Sequence, residues 1–223
     1  LVLQFACDNF RCLKAVDFHP GPGVNLIEGD NAQGKTSLLE SVLFAATARS
    51  HRTGNEQELL RHGYDGFHLA AHARRSDRDV AVELHWHRGV KRFRVNGVAQ
   101  TRVSDILGKI NVVLFSPEDT ELIKGTAAFR RKFMDMELSQ VSPLYLNTLQ
   151  RYRQALRQRN ELLKENTPDP DMLDAWDAQL APLGTVLVRE RDAFFAALGE
   201  HAAQAYAHIA AGERLELRYE PDV

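Results

Sequence analysis

Up to about Phe115 the apolar positions fall in short runs broken by turn residues, and past Ser116 they recur at helical spacing. The first texture predicts strands and the second helices, because a strand repeats its faces every two residues and a helix every 3.6. LVLQF, KAVDF and VNLIEG read as strands, separated by Asp8-Asn9 and by the turn signal Pro20-Gly21-Pro22-Gly23. Thr36 to about Ala48 reads as a helix with Leu39, Val42 and Leu43 on its apolar face. DVAVELHWH alternates at period two, and KRFRVNGVAQ carries Asn96-Gly97, the favoured dipeptide of a type I′ hairpin turn. INVVLF is continuously apolar, as a buried central strand requires.

In the second half, Leu149, Tyr152, Leu156 and Leu163 form one helical stripe, and Leu173, Trp176, Leu180, Leu183, Leu187, Phe194 and Leu198 form another. The polar, proline-punctuated ENTPDPD between them predicts a helical hairpin with its stripes packed together. Pro182 and Gly184 predict a kink or break in the second helix. There is no internal repeat.

The 223 residues, 44% of them hydrophobic, can build one large core or two modest lobes. Lys and Arg total 28 against 30 Asp and Glu, so any polyanion site has to be a local patch. Cys7 and Cys12 are too few for a disulfide framework or a zinc site of their own, which fits a reducing, cytoplasmic setting. No apolar run approaches the ~20 residues that cross a bilayer.

Candidate chemistry begins at Gly29. GDNAQGKT, residues 29–36, is G-x-x-x-x-G-K-T, preceded by an apolar strand-like run and followed by a helical pattern. Phosphates need several N–H donors converging on them, and glycine at positions 29 and 34 removes the Cβ that would block the approach. The loop ends at a helix N-terminus, whose free N–H groups and dipole favour an anion. Gly29, Asp30, Asn31, Ala32, Gln33, Gly34, Lys35, Thr36 and Ser37 are therefore the candidate ATP-binding residues, with Lys35 on the β- and γ-phosphates and the Thr36 hydroxyl on Mg2+. The motif alone does not name a reaction, since kinases, GTPases and ABC-type ATPases share it.

Asn9-Phe10-Arg11, GDNAQGKTSLLES, ATARSHRT and FSPEDTELIKGTAAFRRKFMD, in that order, resemble the RecF family of the ABC-ATPase branch that includes the SMC proteins. The resemblance covers about Leu1 to Leu163, and the Pro117–Asp135 segment is its most discriminating part. Ala127 stands where the family usually carries proline, while Arg130, Arg131 and Asp135 keep their places. The resemblance implies an α/β fold: an ABC-type ATP-binding lobe of mixed sheet and helices over 1–125, and a helical-hairpin arm over 126–223. It further implies ATP-dependent binding of duplex DNA near single-strand gaps, a homodimer closed by ATP, and work with RecO and RecR to help RecA load. It places Arg11 beside the nucleotide phosphates, where a solvated surface arginine is the alternative. Members continue into an ABC signature motif and an acidic Walker B strand, and this chain carries neither. We therefore expect the N-terminal part of a longer protein, itself opening on Leu1 rather than Met, that binds ATP and hardly hydrolyses it. The competing readings are a P-loop kinase of a small molecule and a non-catalytic nucleotide-binding partner module.

Secondary candidates are charged. Arg49, His51 and Arg52 follow the loop helix and suit phosphate or DNA contact, and Glu118 or Asp119 could sense magnesium or simply cap a helix. Arg88, Lys91, Arg92 and Arg94, then Arg130, Arg131 and Lys132, then Arg151, Arg153, Arg157 and Arg159 form three basic runs. Arg92, Arg94, Arg130 and Arg131 are the candidate DNA contacts, to phosphate rather than to bases. His85 and His87 share a strand face, with no third metal ligand at suitable spacing.

Overall fold

The computed structural model describes residues 1–75, 78–210 and 212–221. They form two units, Leu1–Thr120 and Glu121–Val223. The first unit is built on strands β1 (Val2–Phe10), β2 (Leu13–Phe18), β3 (Gly66–Arg75), β4 (Arg78–His87), β5 (Val90–Val95) and β6 (Val98–Gln100), with helix α1 (Lys35–Thr47). The sheet order is β2-β1-β3-β4-β5-β6, and every neighbouring pair is antiparallel. Strand β3, GFHLAAHARR, gives little sign of itself in the sequence, because its alternation is diluted by alanine and histidine.

Alternation buries one face of this sheet. Phe5, Cys7, Phe67, Leu69, Leu84, Trp86 and Phe93 point to one side and pack with Phe44 and Ala45 of α1. Phe67 and Trp86 lie parallel with ring centroids 5.7 Å apart, and Phe10 meets Phe67 edge-on at 5.2 Å. The helix starts at Lys35 and turns Leu43 and Phe44 inward, whereas Leu39 stays 47% exposed. Burial raises the Cys7 thiol to about 11, so it packs as a small apolar group. The Asn96-Gly97 turn has the two positive φ angles, 49° and 78°, that a type I′ turn demands, and Arg88-Gly89 repeats them at 47° and 84°.

Two expected strands are absent. Residues 24–27 and 110–115 make no ladder with the described residues. Ile110 is buried and Val112 packs on the core, yet Val113 and Phe115 are 83% and 86% exposed, as are Val24 and Leu26 at 98% and 82%. A ladder needs a neighbouring strand, and among the described residues neither segment pairs with one.

The second unit is helical: α2 (Glu121–Lys124), α3 (Ala127–Val141), α4 (Pro143–Leu162) and α5 (Pro170–Ala207). Leu138, Tyr145, Leu149 and Leu187 form its core, with Tyr152 and Phe194 against them, so the two long stripes do face each other. Helix α5 runs through Pro182 as one helix, so the expected break is not there. Pro182 is exposed, so the carbonyl it leaves unbonded can be solvated, and Gly184 lies where an added Cβ would sit 3.5 Å from the Tyr152 ring. Asp135 ties the bundle together: it accepts hydrogen bonds from the Tyr145 hydroxyl and from Arg153 and Arg191.

Candidate nucleotide site

The loop from Gly29 to Gly34 is held by its own lysine. Lys35 Nζ donates to the carbonyls of Gly29 at 2.6 Å and Asp30 at 2.7 Å, folding back across the loop. Gly29, Ala32 and Gly34 all have positive φ, at 145°, 65° and 98°. At Gly34 an added Cβ would lie 2.8 Å from Leu13 Cδ2 and 2.9 Å from Cys12 Sγ, side-chain ends that would have to move, and the φ of 98° is what favours glycine there. Cys12 Sγ lies 3.7 Å from Ser37 Oγ, which closes the β1–β2 turn onto the start of α1. Asp30, Asn31, Gln33 and Thr36 are exposed and Ser37 is buried. An open loop, a helix N-terminus and a lysine beside it are features that suit an anion such as a phosphate.

Glu40, one turn into α1, organises the neighbourhood. Its fully buried carboxylate accepts from Arg11 Nε at 2.9 Å and Nη2 at 2.8 Å, from Ser50 Oγ at 2.6 Å and from Arg52 Nη1 at 3.4 Å. Burial alone would raise its pKa; the Arg11 and Ser50 hydrogen bonds and the two guanidinium charges together hold it below the usual value. Arg11, with φ of 53°, also donates to the Glu58 carbonyl at 2.9 Å. It thus sits beside the loop, immediately before the Cys12 and Leu13 that abut Gly34, with its guanidinium engaged. Sequence reasoning missed Glu40 because a glutamate inside a helix gives no local sign that it will be buried. His51 follows, both ring nitrogens buried without a hydrogen-bond partner among the described residues; burial lowers its pKa, against the raising effect of Glu40 nearby.

The acidic pair after Ser116 closes a turn, as the capping alternative has it: Asp119 Oδ2 accepts from the Ser116 N–H at 2.6 Å and hydroxyl at 3.2 Å. The basic runs separate into engaged and free members. Arg88 pairs with Asp65, and Lys91 with Glu56. Arg153 pairs with Asp135 and Arg159 with Asp177. Arg92 and Arg94 are exposed on β5 and make no ion pair with described residues. Arg130 and Arg131 are exposed on α3, with Arg130 donating to the Gly125 carbonyl at 2.9 Å.

The sequence profile of the AAA-domain family matches residues 5–175. The chain belongs to that family. It is 40% identical over 222 residues to the DNA replication and repair protein RecF of Lactobacillus acidophilus, covering 96% of this chain and 59% of the relative. RecF of Bacillus cereus is 38% identical over 227 residues, covering all of this chain and 60% of that protein. A solved structure of the recombination mediator protein RecF with ATP, in the RecFOR pathway, superposes with a TM-score of 0.90 at 33% identity, covering 96% of this chain and 59% of that one. The resemblance to RecF therefore holds along the whole chain, which spans about three-fifths of the length of these relatives. No helix among the described residues is long and apolar enough to cross a membrane.

Proposed function

We propose that this chain is the nucleotide-binding part of an ATP-dependent DNA-repair protein that acts as RecF does. ATP is held by residues Gly29 to Ser37, with Lys35 on the β- and γ-phosphates, Thr36 toward Mg2+, and Arg11 beside them. When bound, ATP supplies the charge that closes two copies of the whole protein on one another, so it acts as a switch for association. The whole protein binds duplex DNA at single-strand gaps through phosphate contacts that include Arg92, Arg94, Arg130 and Arg131. It works in the cytoplasm with RecO and RecR to help RecA load. The exposed apolar edges at Val24, Leu26, Val113 and Phe115 take their ladder partners from sequence outside this chain.

One observation carries the nucleotide assignment: Lys35 already bridges the Gly29 and Asp30 carbonyls over a loop in which Gly34 takes a left-handed backbone that favours glycine. Family membership and the likeness to a RecF solved with ATP support the same reading. Lys35→Ala removes a charge-assisted contact of roughly 1.5–3 kcal/mol, and ATP affinity should fall at least about tenfold. Calorimetry on folded wild-type and variant protein tests this, and unchanged affinity would remove the reading.

A further inference from the structure

We propose that His68, Glu83 and His85, on the solvent-facing side of the β3–β4 ladder, form a site for a divalent transition metal of the zinc class. Each residue offers one ligand atom, and the three atoms lie within 4.8 Å of one another. His68 and His85 are directly opposite in register, their rings nearly parallel with centroids 4.0 Å apart. Glu83, two residues before His85 on the same face, brings its carboxylate within 3.9 Å of His85 Nε2. Two imidazoles and a carboxylate are a zinc donor set that leaves a fourth position for water.

Two further features favour a ligand role over two stacked surface rings. His68 Nε2 is buried and has no hydrogen-bond partner among the described residues. Its other nitrogen, Nδ1, faces Asp8 Oδ2 at 3.6 Å, and Asp8 is opposite His68 in register on β1. A carboxylate behind one imidazole nitrogen orients the ring and raises the basicity of the other, the arrangement that supports zinc-bound histidine. Around one zinc ion, with bonds of about 2.0–2.2 Å, ligand atoms sit roughly 3.3 Å apart, so the site closes by side-chain rotation. The side chains of His85 and Glu83 are 47% and 31% exposed, which leaves room for that. The charges facing the site are Asp8 on β1, Glu83 on β4, and Arg92 and Arg94 on β5, opposite His85 and Glu83. The two carboxylates offset the two guanidinium groups, so a dication is not opposed by a net positive field.

Chelator-stripped protein titrated with Zn2+ and with Co2+ tests the site. We expect one ion per chain, a Co2+ visible spectrum without a thiolate charge-transfer band, and zinc-dependent protection against thermal unfolding. His85→Ala and His68→Ala should each weaken zinc binding at least tenfold and abolish the protection, and Asp8→Asn should weaken it by roughly tenfold. His85 is exposed, so its variant reads the site even if His68→Ala fails to fold. Absence of zinc binding, a thiolate band, or zinc affinity unchanged by His85→Ala overturns the proposal.

Discussion

Arg11 and Glu40 lie 29 residues apart in sequence and meet side-on, Nε to Oε2 at 2.9 Å and Nη2 to Oε1 at 2.8 Å. This pair pins the β1–β2 turn to α1 and so fixes the wall against which Gly34 packs. Glu40→Gln leaves Arg11 and Arg52 around a neutral group, and it should destabilise the first unit by about 3 kcal/mol at neutral pH. The folded Glu40 pKa lies below its ordinary value of 4.5, so the unfolded chain takes up that proton first. Its contribution is therefore full above that value and lost as pH falls through the lower folded pKa. Urea unfolding at neutral and acid pH should show the gap between wild type and Glu40→Gln narrowing as pH drops.

Gly34→Ala addresses the cradle from the other side. Leu13 Cδ2 and Cys12 Sγ are ends of flexible side chains and can yield, but φ of 98° cannot be adopted by alanine without strain of about 1–3 kcal/mol. The loop should relax away from its phosphate-binding shape. ATP affinity measured by calorimetry is expected to fall by roughly tenfold or more, while the circular dichroism spectrum stays that of the wild type.

In the helical unit, Tyr145→Phe removes the hydroxyl that donates to Asp135 at 2.5 Å and accepts from Arg191 Nε at 2.9 Å. The ring still fills its place, so the loss isolates the polar network, worth about 1–3 kcal/mol at a buried site. Burial, with Asp135 beside it, raises the Tyr145 pKa well above its usual value, so its stabilising effect persists below the ordinary tyrosine pKa and is lost only at strongly alkaline pH. Thermal melts should show a constant deficit for Tyr145→Phe around neutral pH, shrinking once the pH passes the ordinary tyrosine pKa of about 10.

Arg92 and Arg94 together offer a test of the DNA reading. If they contact phosphates in the whole protein, replacing both with Ala should weaken all duplex sequences alike and lower the slope of log K against log salt by up to about 2. Loss confined to one sequence would point to base readout instead.

The glycine loop before Lys35, its helix, the Asn96-Gly97 turn and the helical hairpin were legible in the sequence because each is decided locally. Glycine positions, period and turn chemistry act within a few residues. The run INVVLF misled for the opposite reason: its apolar residues describe a strand, but a ladder also needs a partner, and no described segment supplies one. Pro182 does not end its helix, because a proline is tolerated where its helix face meets water. Tertiary structure alone decided that Glu40 is buried against Arg11, Ser50 and Arg52, that Asp135 gathers Tyr145, Arg153 and Arg191, and that among the described residues Arg92 and Arg94 make no ion pair while Lys91 and Arg88 do. It also found the ligand partner that strand spacing could not: His85 faces His68 across the ladder, 17 residues away in the chain, since register is set by which strands pair and not by the distance between two histidines on one of them.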